Sequence, residues 1–343
     1  MRAVIITKQG DPVAPNVQVP DDWPEPQAGP GWVIVGTEAS GLNHLDLYVG
    51  RGVPGLTLDY PRVPGADACG RVESVGEGVD PAWIGRRVVL NAAVPQPGSL
   101  HPDVIPAPPA RRMIGEHDPG THAQKFAAPV TNVLDVGDAD PQEAAAFALS
   151  HLTAWRMLVT RAGLRAGQTV LITGTSGGTA QALLNIARIF GCKTIVTSRR
   201  QPHLDRAIAL GADHGVLDTG EDWSRQVRGF TGKRGVDICA DSVGKAIHLP
   251  CIKSLARGGV FVTCGATTGP DAVTDLARVF WNELTLVGST MGNMNEFGQI
   301  VSLFRSGGLR PALDSVHDAD DAAKAFARLE SGEQFGKIVI RWA

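Results

Sequence analysis

The sequence predicts an α/β protein, a doubly wound parallel sheet of Rossmann type together with a smaller β-rich unit. From residue 165 onward, near-continuous apolar runs alternate with helical segments, which is typical of parallel strands joined by crossover helices. Before residue 130, short apolar runs are interrupted by Gly and Pro, as in compact all-β units. A turn containing Gly174, Gly177 and Gly178 follows the first strand of the alternation. These observations indicate two kinds of structure in one chain.

The predicted elements follow this division along the chain. The β-rich unit has expected strands at residues 3–7, 32–37, 71–75 and 87–90. The parallel sheet has expected strands at residues 169–173, 194–197, 215–217, 236–240, 259–263 and 284–288. Helices are expected at residues 181–190, 204–210, 223–230, 246–255, 276–283, 297–305 and 321–329, before a last strand at 337–342. Right-handed crossovers then give the Rossmann layout.

Composition excludes several classes of protein. The 343 residues are 43% hydrophobic, and the net charge of −3 comes without a basic run, so a packed core is expected and nucleic acid is not an expected partner. Residues 1–10 predict a strand rather than a secretory signal. The longest apolar segment, 143–159, contains His151 and Arg156, which predicts a buried helix and no membrane span. The five cysteines form no CxxC pair and predict buried free thiols in a cytoplasmic protein.

Residues 92–112 differ from the rest of the β-rich unit. They contain six prolines in 21 residues and no cysteine. Because proline fixes φ and removes a backbone donor, this stretch predicts an irregular, extended surface lobe.

The glycine turn predicts a dinucleotide site. Gly174, Gly177 and Gly178 allow a tight turn and a close approach of the backbone to a pyrophosphate, and Thr179 follows in the opening turn of the next helix. The N–H groups at the start of that helix can face phosphate oxygens. The order strand, glycine turn, helix makes the pattern specific. The alternative is a structural turn without a cofactor.

The end of the second strand predicts which dinucleotide binds. An NAD site usually has Asp or Glu there to accept hydrogen bonds from the ribose hydroxyls. This chain has Ser198, Arg199 and Arg200 and no acid. A hydroxyl and guanidinium groups suit a 2′-phosphate, so NADP(H) is the predicted cofactor. The alternative is that one or both arginines are the solvated start of the following helix.

Seven motifs resemble those of the medium-chain dehydrogenase/reductase superfamily, over essentially the whole chain. They are GLNHLDL (41–47), VPGADACGRVESVGEGV (63–79), GRRVVL (85–90), LTAW (152–155), GTSGGTA (174–180), TCGATTG (263–269) and FGKIVI (335–340). Within the superfamily, the chain is most similar to the quinone-reductase-like and zinc alcohol dehydrogenase-like branches. The resemblance implies a GroES-like catalytic domain at 1–149 and 291–343, a Rossmann domain at 150–290, and a cofactor in the cleft between them.

The chain departs from the family at the zinc ligands. By the resemblance, the catalytic Cys and His correspond to Asn43 and Ala66, and the third ligand, a Cys, falls near Leu149. These side chains provide no sulfur, imidazole or carboxylate for zinc. The structural zinc of relatives would fall in residues 92–112, which have no cysteine. No metal is therefore expected. An alternative is a metal site with unusual ligands drawn from His44, Asp46, Asp67, Glu116 and His117.

The resemblance also assigns individual site residues. Asn43 is expected to face the nicotinamide and substrate, and Tyr48 and Thr153 are candidate proton donors. Cofactor contacts are expected from His44, Ser242, Cys264, Gly265, Ala266 and Lys337. Asp46 is expected to orient His44 or to bind an arginine. The alternatives are a loop-stabilising hydrogen-bonded pair for His44 and Asp46, and a half-buried core aromatic for Tyr48.

Without a Lewis acid, an activated acceptor is the better substrate. A saturated ketone needs strong polarisation, whereas an enone, enal or quinone spreads the developing charge onto an oxygen that neutral donors can hold. The predicted function is therefore a zinc-independent, NADPH-dependent hydride transfer to an activated double bond or quinone. The alternatives are a metal-dependent alcohol or aldehyde dehydrogenase and a non-catalytic NADPH-binding protein. Besides the small-molecule substrate, the expected partner is a second copy of the chain in a homodimer, or alternatively a tetramer, which the resemblance implies through residues 284–290.

Overall fold

A computed structural model describes residues 1–53, 55–95 and 111–342. The chain folds into two compact units. One contains Met1–Leu149 and Gly292–Ala343, and the other contains Ser150–Met291.

The described strands and helices lie in both units. The strands are β1 Ile5–Ile6, β2 Val17–Gln18, β3 Trp32–Gly41, β4 Ala68–Val75, β5 Arg87–Leu90, β6 Ala93–Pro95, β7 Arg111–Met113, β8 Lys125–Pro129, β9 Val133–Asp135, β10 Thr169–Ile172, β11 Lys193–Ser198, β12 His214–Leu217, β13 Val236–Asp241, β14 Leu255–Thr263, β15 Thr285–Gly288, β16 Leu313–Asp318 and β17 Lys337–Arg341. The helices are α1 His44–Arg51, α2 Pro141–Trp155, α3 Gly178–Ile189, α4 Gln201–Ala209, α5 Ser224–Phe230, α6 His248–Ser254, α7 Leu276–Trp281, α8 Met294–Arg305 and α9 Ala322–Glu330.

The first unit is built on a seven-stranded sheet in which β3 is central. The order is β16-β17-β3-β4-β5-β9, with β8 also paired to β3. The end of β3 pairs with β17 on one side and β4 on the other, so Gly41 lies opposite Val339, and its N–H donates to the carbonyl of Asp67 at 2.9 Å. This register brings the residues after β3, before β4 and at the start of β17 together.

Helix α1 is held against this sheet by an apolar core. Leu47 and Val49 on α1 are buried with Phe326 of α9 and with Ile338 and Ile340 of β17. The inward face of α1 is therefore fixed, and its opposite face carries the exposed His44 and Tyr48.

The second unit contains the predicted parallel sheet of six strands, in the order β12-β11-β10-β13-β14-β15. Buried apolar side chains such as Leu171, Ile195 and Phe261 form its core. The strand order reverses between β10 and β13, which is where open α/β sheets bind ligands at the carboxyl ends of their strands. The predicted fold class, a Rossmann sheet with a β-rich GroES-like unit, is confirmed.

Several element boundaries differ from the sequence-based prediction. Helix α1 was not predicted, and α3 begins three residues early because Gly177 is its N-cap. Helix α8 also begins three residues early, because Asn293 and Glu296 form a capping box there. The ends of the proline-rich stretch are not irregular, since β6 pairs with β7. Residues 96–110 of the predicted lobe lie outside the described residues.

The cysteines and apolar helices agree with the composition. All five cysteines are free, and four are buried, whereas Cys264 is half-buried. Across the described parts of the chain, no helix combines the length and apolar character needed to cross a membrane.

Candidate active site

A buried lysine joins three segments of the first unit. Lys337, the first residue of β17, is 4% exposed, and its Nζ donates to Asn43 Oδ1 at 2.6 Å and to Asp67 Oδ2 at 3.2 Å. The other carboxylate oxygen of Asp67 accepts the backbone N–H of Leu149 at 3.3 Å. Because an ammonium has no acceptor, it fixes the orientation of the Asn43 amide, whose Nδ2 donates to the carbonyl of Gly41 at 3.2 Å.

The start of α1 explains why Asn43 is held in place. Its backbone N–H donates to Asp46 Oδ2 at 2.8 Å, and the N–H of Asp46 donates back to the carbonyl of Asn43 at 3.0 Å. Asn43 has extended backbone dihedrals, as N-cap residues do. The positive end of the helix dipole also stabilises the Asp46 carboxylate, which lies in the first turn of α1. Asp46 therefore orders the turn that presents the Asn43 side chain.

Asp46 has a different partner from the predicted one. Its Oδ2 lies 3.4 Å from His122 Nε2, and His122 Nδ1 lies 2.8 Å from Ser40 Oγ. Trp342 Nε1 donates to the same Ser40 hydroxyl at 2.9 Å. The side chains of Ser40, Asp46 and His122 are all buried. The network therefore links Asp46 of α1 to Ser40 of β3 through His122. The expectation that Asp46 orients His44 or binds an arginine is replaced by this pairing with His122.

The other predicted residues of α1 lie on its outer face. His44 is exposed, yet nearby protein atoms desolvate its ring and lower its pKa, and the charges of Lys337 and Arg51 lower it further, against the opposing effect of Asp46. The neutral imidazole is thereby favoured. Tyr48 is 38% exposed, so it is not a core aromatic. Thr153 lies on α2 in the second unit and is 8% exposed.

The residues at the zinc-ligand positions do not fit zinc. Asn43 presents its amide oxygen to Lys337, and Ala66 offers only a buried methyl group. Leu149 contributes its backbone N–H, which donates to Asp67. A cation 2.6 Å from Asn43 Oδ1 would repel a metal ion there. In residues 1–53, 55–95 and 111–342, no group of three or more His, Cys, Asp or Glu side chains is arranged to hold a metal.

The alternative set of metal ligands is divided among separate partners. Asp46 contacts His122, Asp67 contacts Lys337, and Glu116 Oε1 lies 3.3 Å from His117 Nδ1. Asp46 and Asp67 thus each have a hydrogen-bonding partner, and His117 Nδ1 accepts the N–H of Met113 at 3.2 Å.

The second unit assembles the predicted dinucleotide residues at the carboxyl ends of its strands. Gly174 follows β10 with φ of +63°, a conformation that favours glycine. The N–H of Thr175 donates to the carbonyl of Thr197 at 3.0 Å, which holds the turn against the end of β11. Gly177 is the N-cap of α3 without a side-chain capping bond, and a Cβ there would meet nothing within 4 Å. The opening N–H groups of Gly178 and Thr179 therefore fit a phosphate.

The end of β11 carries the residues predicted to select the cofactor. Ser198 is buried, and its Oγ accepts the N–H of Arg200 at 3.2 Å. Arg199 and Arg200 are exposed. No carboxylate occupies residues 198–200. This segment offers a hydroxyl and guanidinium groups, which suit an additional phosphate.

The loops after β13 and β14 lie side by side. A Cβ on Gly265 would lie 3.3 Å from the carbonyl of Ser242, and the N–H of Cys264 donates to the carbonyl of Asp241 at 3.2 Å. Ala266 lies against Gly244, where a Cβ would be 2.8 Å from its Cα. Desolvation, aided by Asp241, raises the pKa of the Cys264 thiol to about 12, so this thiol is not an activated nucleophile.

Asp241 is a central residue of this site that the sequence analysis missed. It is fully buried at the end of β13 and accepts hydrogen bonds from Thr173 Oγ1 at 2.6 Å and from the N–H groups of Val243 and Gly244 at 3.0 and 2.9 Å. It thereby links the glycine turn to the loop that carries Ser242. A lone acid directly after an apolar strand was the available signal.

Asp67 gives a prediction about pH. Desolvation raises its pKa to about 6, although the charge and hydrogen bond of Lys337, the Leu149 N–H and Asn43 lower it. Between its unfolded value of 3.8 and about 6, the folded state therefore binds a proton that the unfolded state has lost. Its contribution to the free energy of unfolding should fall by about 3 kcal/mol as the pH rises through this range.

Urea denaturation of the wild-type protein and of Asp67→Asn at several pH values checks this prediction. The free energy of unfolding of the wild type, relative to the variant, should decrease from about pH 4 to about pH 6 and then level off. Parallel curves over the whole range would contradict the assignment.

Comparison with known proteins covers both units. The family model described as the alcohol dehydrogenase GroES-like domain matches residues 29–138. The family model described as zinc-binding dehydrogenase matches residues 178–306. A zinc-type alcohol dehydrogenase-like protein from Leptosphaeria maculans is 28% identical over 92% of this chain and 92% of its own. A quinone oxidoreductase from Lama guanicoe is 26% identical over 99% of this chain and 97% of its own.

A solved structure gives the same result at higher identity. It is named an NAD-dependent alcohol dehydrogenase, is 35% identical, and superposes with a TM-score of 0.93 over 100% of both chains. The two matched domains, the seven motifs and this full-length likeness all point to one family of enzymes. The chain therefore belongs to the medium-chain dehydrogenase/reductase superfamily and is an oxidoreductase of that nicotinamide-binding family.

Proposed function

We propose that the protein transfers hydride from NADPH to an activated double bond or quinone, without zinc. The observation that carries the proposal is the Lys337–Asn43–Asp67 cluster, in which Asn43, at a position that the resemblance assigns to a zinc ligand, presents its amide oxygen to a lysine ammonium. A single positive charge polarises a carbonyl less than Zn²⁺ does. The cluster therefore suits substrates whose conjugation already activates them, namely enones, enals and quinones.

The candidate residues have distinct roles in this proposal. Asn43, ordered by Asp46 at the start of α1, provides a fixed polar contact for the substrate. Fixed dipoles of this kind stabilise developing charge without reorganising during the reaction. Tyr48 and Thr153 remain candidates for delivering the proton, and water is the alternative. The bound dinucleotide would supply the hydride.

NADPH is the proposed cofactor because of the end of β11. Ser198, Arg199 and Arg200 provide donors and no carboxylate that would repel a 2′-phosphate. The glycine turn and the uncapped start of α3 provide the pyrophosphate site. His44 and Lys337, expected from the resemblance to contact the cofactor, belong to the first unit, and their contact with it stays a prediction.

A matched pair of substrates tests the proposed reaction. NADPH oxidation is measured with an α,β-unsaturated ketone and with its saturated counterpart at equal concentrations. Turnover of the unsaturated ketone with little turnover of the saturated one is expected. Preferential turnover of the saturated ketone, or of the corresponding alcohol with oxidised cofactor, would overturn the proposal.

A second candidate function is alcohol oxidation. Two of the compared proteins, including the one that is 35% identical, are named alcohol dehydrogenases or alcohol dehydrogenase-like. This function would need another way to stabilise an alkoxide, since Asn43 and Ala66 cannot hold zinc. The same assay separates the two functions.

Replacing Arg199 with alanine should lower the preference for NADPH. The loss of one charge-assisted contact to the 2′-phosphate should raise the Kd for NADPH about 10-fold and leave that for NADH nearly unchanged. Fluorescence titration of both dinucleotides measures the two constants. Arg225→Ala, an exposed arginine on α5, is the matched control. An equal loss for NADPH and NADH would contradict the assignment of Arg199.

The exposed edge of the parallel sheet is the proposed homodimer interface. Edge strand β15 carries Leu286, 40% exposed, and the neighbouring α7 carries Leu276, Phe280 and Trp281, which are 72%, 63% and 70% exposed. Pairing of two such edges would cover both the strand and the apolar patch.

Light scattering tests this interface. The wild-type mass should be twice the 36.1 kDa of one chain, and Leu286→Lys should reduce it towards that of a monomer. The control is Ile84→Lys, at an exposed isoleucine of the first unit. A monomeric wild type would remove the proposal, and a tetramer would require a second interface.

A further inference from the structure

We propose that Lys337 is the fixed cation of the substrate site, whose ammonium donates to the substrate oxygen on which negative charge collects. The inference rests on the proposed function and assigns one of this chain's residues to the electrostatic role that relatives give to a metal. It also gives Lys337 a different role from the cofactor contact expected from sequence.

The position of Lys337 is built by its surroundings. Its side chain passes Gly41, where a Cβ would lie 3.4 Å from Lys337 Cε and 2.4 Å from the carbonyl oxygen of Ala145. Glycine is required here by the Ala145 carbonyl, and the lysine stem packs alongside at ordinary contact distance. The ammonium then meets an amide from the start of α1 and a carboxylate from the segment before β4.

The number of donors leaves one N–H of the ammonium for a ligand. Two of its three protons are directed at Asn43 Oδ1 and Asp67 Oδ2. Across the described residues, Nζ has no third hydrogen-bond acceptor. A buried donor without an acceptor costs free energy, and Asn43 beside it is only half-buried. A substrate oxygen that reaches Asn43 can therefore also satisfy Lys337.

The same cluster explains how the chain dispenses with zinc. The three positions that have lost their ligands are all connected to Lys337. Asn43 accepts a hydrogen bond from Lys337 directly. Ala66 is followed by Asp67, which accepts from Lys337, and the N–H of Leu149 donates to that same carboxylate. All three positions are thus linked to one lysine ammonium through Asn43 and Asp67.

The reaction step balances with this assignment. The β-carbon of an enone accepts a hydride, a proton with two electrons, as the C–H bond of the reduced dinucleotide breaks. The electron pair of the C=C bond moves towards the carbonyl oxygen, where the N–H of Lys337 holds the resulting enolate. The α-carbon then takes a proton from water, so one NADPH and one proton are consumed for each saturated ketone formed.

The experiment uses 4-nitrophenol as a probe, because nitrophenolate absorbs visible light and carries its charge on an oxygen. The full-length protein is saturated with NADP⁺ and titrated with the probe at several pH values. In the wild type, the pKa of bound 4-nitrophenol should be lower by about one unit or more than in Lys337→Met/Asp67→Asn, in which an uncharged pair replaces the charged one. Asp67→Asn alone, which keeps the lysine, should lower it further.

Two controls separate this test from folding and from the proposed reaction. Circular dichroism verifies that each variant is folded, and Lys324→Met, at an exposed lysine of α9, should titrate as the wild type does. With an enone substrate, kcat of the double variant should fall on the order of 100-fold. If the wild type turns over no enone, the proposed function fails, while the nitrophenol titration still tests Lys337.

The outcomes that overturn the inference are equally specific. No binding of 4-nitrophenol by the wild type would overturn it, as would identical titrations of the wild type and the double variant. If the double variant instead has a tenfold higher Kd for NADPH and an unchanged nitrophenol titration, Lys337 contacts the cofactor and not the substrate.

Discussion

Replacing Asp67 with alanine is expected to lower the free energy of unfolding at pH 7.5 by about 3–5 kcal/mol. Asp67 is fully buried, and it is the carboxylate partner of the buried Lys337 ammonium. Its removal leaves a positive charge in a desolvated position and deprives the N–H of Leu149 of its acceptor. Equilibrium denaturation in urea measures the change.

The double variant Asp67→Ala/Lys337→Met distinguishes a lost pair from a cavity. If the cost comes from the uncompensated charge, removing the lysine as well should recover most of the lost stability. Lys324→Met in the Asp67→Ala background should recover none of it. Equal losses in the single and double variants would show that Asp67 acts through packing alone.

Replacing Gly174 with valine is expected to weaken NADPH binding about 100-fold, which corresponds to ~2.7 kcal/mol. The backbone at Gly174 has φ of +63°, a region that β-branched residues avoid. A Cβ there would also lie 3.1 Å from Val243 Cγ2, in the turn that we propose faces the pyrophosphate. Both effects distort the phosphate site.

Gly163→Val is the matched control for this substitution. Gly163 lies in the same unit with φ of +66°, and a Cβ there meets nothing within 4 Å. In this variant the strained backbone should lower the free energy of unfolding by a similar amount, but NADPH should bind as it does to the wild type. Equal affinities in the two variants would mean that Gly174 serves the fold and not the cofactor.

The parallel sheet could be predicted because its signals are local. Each strand is a short apolar run followed by a helix, and the glycine turn joins the first strand, β10, to its helix, α3. The helix starts were predicted less well. The N-caps Gly177 and Asn293 lie before the first strongly apolar turn of their helices, where periodicity gives no signal.

The support of the candidate site could not be predicted because its contacts are remote in sequence. Asp46 meets His122 across 76 residues, and Lys337 meets Asn43 across 294. The pairing of β3 with β17 and the seating of α1 create these contacts. The resemblance predicts that Asn43 stands at a metal-ligand position, but only the folded chain shows which cation lies beside it.

The central claim, a reductase that works without zinc, is tested most directly by measuring metal content and turnover on the same sample. The protein is purified, dialysed against a chelator, analysed for zinc by mass spectrometry and assayed with NADPH and an enone. We predict full turnover with far less than one zinc per chain and no gain on adding zinc. One bound zinc per chain, with turnover that is lost on its removal and restored by its return, would contradict the account.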